Sequence, residues 1–151
     1  MKTSYDLAIL KQSRENQIAL LEKYGEKCHV IPSGFKNNLF WNAAHNLVTE
    51  QLLIYKLSDV PMRISDEIVN SYRKGTSVPE QNQLDLQQLI SLLRESVDWL
   101  AEDLEKGIFT SYQSYPTSYG MTLNSVEEAI AFNNVHEGLH FGYMMALAKS
   151  L

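Results

Sequence analysis

The chain has a single cysteine, Cys28, among its 151 residues. An internal disulfide is therefore impossible, and a reducing compartment is expected. No apolar run approaches the length needed to span a bilayer. The opening stretch, Met1 to Asp6, places an acid where a secretory leader would carry its apolar region, so a cytoplasmic location with no membrane association is expected. Basic residues are outnumbered, 13 against 18 acids, for a net charge of −5. They form no Lys/Arg cluster, which argues against nucleic acid and for a small-molecule or protein partner. No glycine-rich phosphate loop is present, which argues against nucleotide and dinucleotide cofactors. Strand-like alternation of useful length, internal repeats and low-complexity tracts are also missing.

What remains is helical periodicity along one domain, residues 1–151. Leu7, Leu10, Ile18 and Leu21 mark a first helix from about Ser4 to Tyr24, with Gly25 as its stop. A second helix begins at Asn37 or Asn38, either of which can cap it. It carries Trp41, His45, Val48, Leu52 and Tyr55 on one face and ends near Leu57, before Pro61. A short helix is expected over Ser65–Arg73, broken by Lys74 to Pro79. Leu86, Leu89, Leu93, Val97, Leu100 and Leu104 form the seam of a third long helix. A loop rich in Tyr, Ser and Pro follows from Gly107 to Thr122. Ser125 and Glu128 then have the spacing of a capping box that opens the last helix. Four long amphipathic helices in one domain predict an all-α, up-down four-helix bundle. The longer loops would gather at its ends, where they could wall a pocket.

Three of the four histidines point inward. At 100° per residue His136 and His140 lie one turn apart on one face of the last helix, in the sector of Ala129, Asn133, Met144 and Leu147. His45 shares its sector with Trp41, Val48 and Leu52. Core histidines can satisfy their ring nitrogens with carbonyls, hydroxyls or water. A pair at i and i+4 on an apolar face, with a third from another helix, instead suggests a common partner, since burying polar rings together is costly. Neutral imidazoles ligate zinc, nickel, iron or copper, and three protein ligands leave positions open, as in catalytic rather than structural sites. Cys28 and His29 are adjacent in a loop and are not expected to act as nucleophile and base.

His136 to His140 also matches the H-E-x-x-H protease signature. The 11 residues after His140 hold no His, Asp or Glu to complete such a site, and Tyr143 and Ala146 stand where the longer variant needs Gly and His. A protease is therefore not expected. Glu137 lies at the edge of the histidine face, where it could orient a ligand or move a proton, or serve as a helix-surface acid.

The stretch from Trp41 to His45 with the following Leu-Val-Thr-Glu-Gln-Leu-Leu, Tyr72 to Pro79, Thr122 to Ala129, and His136 to Gly142 resemble the DinB/YfiT-like family of four-helix bundle proteins. The resemblance covers essentially the whole chain. It implies a divalent metal, commonly nickel or zinc, on His45, His136 and His140. It also implies, for some relatives, transfer of a low-molecular-weight thiol such as bacillithiol, or a mycothiol-dependent isomerisation. A metal-dependent thiol S-transferase or hydrolase acting on a small electrophile is the function expected, with a non-catalytic metal or small-molecule binding protein as the alternative. Glu137 or a tyrosine of the Tyr112–Tyr119 loop would assist proton transfer. Ala131, Val135, Gly138, Gly142 and Ala146 give the last helix an apolar back face of small residues, which suggests a homodimer unless the third long helix covers it.

Overall fold

The structure is a computed structural model and describes residues 2–151. Its long helices are α1 (Lys2–Tyr24), α2 (Leu39–Glu50), α4 (Leu86–Glu105) and α5 (Val126–Ala148), with a short α3 (Asp66–Tyr72) between α2 and α4. Side-chain caps open α2, α3, α4 and α5. Asn38, not Asn37, caps α2 by accepting from the Trp41 backbone N–H at 2.7 Å. Ser65 caps α3, Asp85 and Gln88 form a reciprocal capping box on α4, and the Ser125 hydroxyl accepts from Glu128 on α5. At the end of α1 the chain turns through Gly25, whose φ of +49° suits a residue without Cβ, into a 3₁₀ turn over Gly25–His29.

The second helix ends close to Leu57, as the periodicity suggests, but its winding changes on the way. Its path continues through a π-helical turn, Gln51–Tyr55, and a 3₁₀ turn, Lys56–Ser58, before Asp59 closes it in the left-handed region. The 107–122 loop is also not wholly irregular. Tyr115–Pro116 (β1) pairs antiparallel with Thr122–Leu123 (β2), a two-residue ladder too short to leave an alternation in the sequence.

The all-α bundle is as expected, but consecutive helices are not all neighbours. α1 packs mainly against α5 and α4, and α2 packs against the same two, so α1 and α2 lie across the diagonal. The long segments 25–38 and 106–125 have the reach to make those diagonal connections. Two apolar clusters fill the interior. One centres on Leu21, Phe40, Leu47, Tyr72, Leu89 and Leu147, and the other on Leu10, Ile54, Tyr55, Leu100, Val126 and Ile130. No helix among the described residues is long and apolar enough to cross a membrane. The back face of α5 is not covered by α4: Val135, Gly138, Leu139, Gly142 and Ala146 are exposed.

Candidate metal centre

His45 rises from the middle of α2 and faces His136 and His140 on α5, which packs directly against it. The three offer ligand nitrogens that lie within 4.8 Å of one another. Their ring centroids are 4.5 to 5.1 Å apart. No Cys, Asp or Glu among the described residues joins the group.

Two of the rings are oriented from behind. The Nδ1–H of His45 donates to the Tyr72 carbonyl at 2.8 Å, which leaves Nε2 as the lone pair facing the cluster. The Nδ1–H of His140 donates to Asn42 Oδ1 at 2.8 Å. That amide is fixed in turn, because Asn42 Nδ2 donates to the Asn38 carbonyl at 2.8 Å and to Asn37 Oδ1 at 2.9 Å. Trp41 stacks flat on His45, with ring centroids 4.8 Å apart and planes 7° apart. The Thr49 hydroxyl lies 3.3 Å from His45 Nε2. His136 Nδ1 is buried without a hydrogen-bond partner.

Electrostatics keep the rings uncharged. Burial lowers the pKa of His136 to about 3, with His140 and His45 adding mutual repulsion. Burial and His45 lower that of His140 to about 4. Burial also lowers that of His45, against the opposing hydrogen bond to Tyr72, and the Lys74 charge adds to the lowering. Uncharged imidazoles with free lone pairs are the form that ligates a metal. Spacing agrees as well: His45 Nε2 and His136 Nε2 are 3.2 Å apart. Two nitrogens bound tetrahedrally at about 2.0–2.1 Å from one ion would stand about 3.4 Å apart. The residues present therefore fit a metal ion.

The cluster opens onto space. A cavity of about 610 Å³ is lined by all three histidines, by Trp41, Leu52, Leu53, Leu57 and Phe132, and by the polar groups of Lys56, Lys74, Tyr115 and Thr117. A second cavity of about 580 Å³ also reaches His140 and is walled by Gly34, Lys36, Asn37, Asn42, Leu139 and Tyr143. Of the loop tyrosines, Tyr115 walls the first cavity, whereas Tyr112 donates to the Leu53 carbonyl at 3.0 Å and Tyr119 packs on Phe132.

Glu137 is not at the edge of the histidine face and is not a surface acid. Its side chain is fully buried and turned to α1. Arg14 Nε donates to both its oxygens, at 2.8 and 2.9 Å, Gln17 Nε2 donates at 2.9 Å and Asn133 Nδ2 at 3.2 Å. Arg14 also reaches Glu50 on α2 at 2.7 Å and the Ser96 hydroxyl on α4 at 2.9 Å, so one guanidinium ties all four long helices. Cys28 is buried, its thiol pushed up to about 11 by burial first and Glu26 second, so it is not a nucleophile. His29 packs against Phe40. Sequence periodicity did not single out Asn42, Lys56, Lys74 or Arg14. Arg14 did carry a signal, since it stands in the stripe of Leu10 and Leu21, where an apolar residue is expected.

Comparison with known proteins gives one family match. The family model described as the DinB superfamily matches residues 9–144. No curated protein matches the chain.

Proposed function

The chain belongs to the DinB superfamily, and from that premise we propose that it is a metal-dependent enzyme acting on a small electrophilic substrate. In this reading His45, His136 and His140 hold one divalent ion, zinc or nickel, and a thiol or water is the nucleophile. When bound there, the ion supplies a Lewis acid that lowers the pKa of that nucleophile and polarises the electrophile. The observation that carries the reading is the position of the cluster. Three uncharged imidazoles, with no fourth protein ligand among the described residues, form part of the wall of an open cavity, as a catalytic site requires and a structural zinc site does not.

The protein's own groups have distinct tasks. The Tyr72 carbonyl and Asn42 set the tautomers of His45 and His140 and hold their Nε2 atoms toward a shared centre. Trp41 blocks rotation of the His45 ring and, with Leu52 and Leu53, excludes water from one side. Two cavities meeting at His140 give room for two reactants, which favours group transfer over hydrolysis. Tyr115, on the cavity wall, is placed to hold or pass a proton. Glu137 is a positioning residue: it anchors α5 one residue from His136 and touches no reactant.

The test is metal content by elemental analysis of untagged protein, beside a His136→Ala variant. Near one equivalent in the parent and little in the variant supports the site, and thiol and electrophile pairs can then be screened for rates above background. No metal in either after reconstitution with zinc or nickel overturns it. Stoichiometric metal with no turnover across the screen would favour the alternative, a binding protein without catalysis.

A further inference from the structure

Charge is distributed against the grain of the molecule around the larger cavity. The chain carries 18 acids to 13 basic residues, yet no Asp or Glu lines this cavity, whereas Lys56 and Lys74 both do. Neither lysine is in an ion pair among the described residues. The two come from separate segments, Lys56 from the turn that ends the second helix and Lys74 from the connection after α3. Trp41, only 7% exposed, lines the same cavity and stacks on His45. The rest of the wall is apolar, with Leu52, Leu53, Leu57 and Phe132.

We propose that this cavity binds an amphipathic organic carboxylate, its anionic head drawn to Lys56 and Lys74 and its apolar body lying on Leu52, Leu53, Leu57 and Phe132. The assignment rests on reading the cavity as the substrate site of the metal centre, and it names the substrate's class. Ammonium heads attract a carboxylate as point charges, without demanding one bidentate geometry. They therefore select for charge, and the apolar wall selects for a hydrocarbon body. A cationic ligand of the same shape is repelled.

Calorimetric titration with octanoate and with octanamide, its neutral counterpart, tests this on the full chain, in metal-free and zinc-loaded forms. Octanoate is expected to bind more tightly than octanamide in both forms. The double variant Lys56→Gln/Lys74→Gln should weaken octanoate about tenfold or more while leaving octanamide unchanged. Both lysines are exposed, so the variant keeps the fold. No binding of octanoate, equal binding of the two probes, or an unchanged double variant would each overturn the proposal. The metal reading fails separately: it is judged by metal content, and the lysine dependence in metal-free protein does not require the ion.

Discussion

Arg14 and Glu137 meet in the centre of the bundle as a fully buried pair, with Arg14 Nε at 2.8 and 2.9 Å from the two carboxylate oxygens. One guanidinium serves two acids, since Arg14 Nη2 also lies 2.7 Å from Glu50. Burial works against the charge on Arg14, but the two carboxylates outweigh it and raise its pKa. Burial likewise raises the pKa of Glu50; Arg14 opposes that and Glu137 adds to it. Such a network is weak evidence for net stability, yet its partners depend on one another, because removing one strands a charge away from water.

Glu137→Ala and Arg14→Met should therefore each lose about 3–5 kcal/mol in urea denaturation followed by circular dichroism. Loss of less than about 1 kcal/mol would show that water satisfies the remaining partner. Because Glu137 follows His136 on α5, the network also fixes how that helix is rotated. A Glu137→Gln variant that kept its stability and metal but lost turnover would return Glu137 to the chemistry.

This network also marks the limit of what the sequence made legible. Helical periodicity turned His45, His136 and His140 inward, because each face is set by spacing alone, and the family resemblance joined them into one site. Arg14 and Glu50 could not be paired that way, since each is satisfied by residues on other helices and spacing within one helix says nothing of its neighbours. Glu137 was misplaced for a related reason: a residue at the border of two sectors goes to whichever side offers a partner, and Arg14 offered one. Lys56 and Lys74 reach the cavity through turns, which carry no period to read. The π-helical turn at Gln51–Tyr55 shifts the phase of the second helix without any proline or glycine to announce it.

Asn42 gives a second prediction. It is the acceptor for His140 and is itself held by Asn37 and Asn38, so it orients a ligand ring without touching the centre. Asn42→Ala should lower zinc affinity about 10–100-fold, measured by competition with a chromophoric chelator, with the helical signal unchanged. Unaltered affinity would mean that packing against His45 and His136 suffices to hold the ring.

The exposed back of α5 bears on assembly. Leu139 is 57% exposed and Met145 48%, and a Cβ added at Gly138 or Gly142 would meet nothing within 4 Å. The fold therefore leaves this apolar stripe uncovered, and we propose that a second copy of the chain covers it. Sedimentation equilibrium should report a dimer, and Met145→Glu, at a position outside both cavities, should shift it to monomer with metal content retained. A monomeric parent at all accessible concentrations would remove the proposal.

The depressed histidines fix the sign of the pH dependence. In metal-free folded protein His136 and His140 take up protons only near pH 3 and 4, against 6.5 in the unfolded chain. Below pH 6.5 the unfolded state thus binds more protons than the folded one, and stability falls with falling pH. It should be highest above about 6.5, decline from there toward about 3, and level off for these groups below their folded values. Replacing His136 by Phe should flatten that window in urea titrations run across it. Metal binding follows from the same shifts. Ligands already free of protons have none to release, so zinc affinity should change little between pH 7 and about 5, where ordinary imidazoles would lose it steeply. A steep loss of affinity centred near pH 6.5 would mean that the rings are solvated and ordinary, and that the low dielectric around them, on which the proposed chemistry depends, is absent.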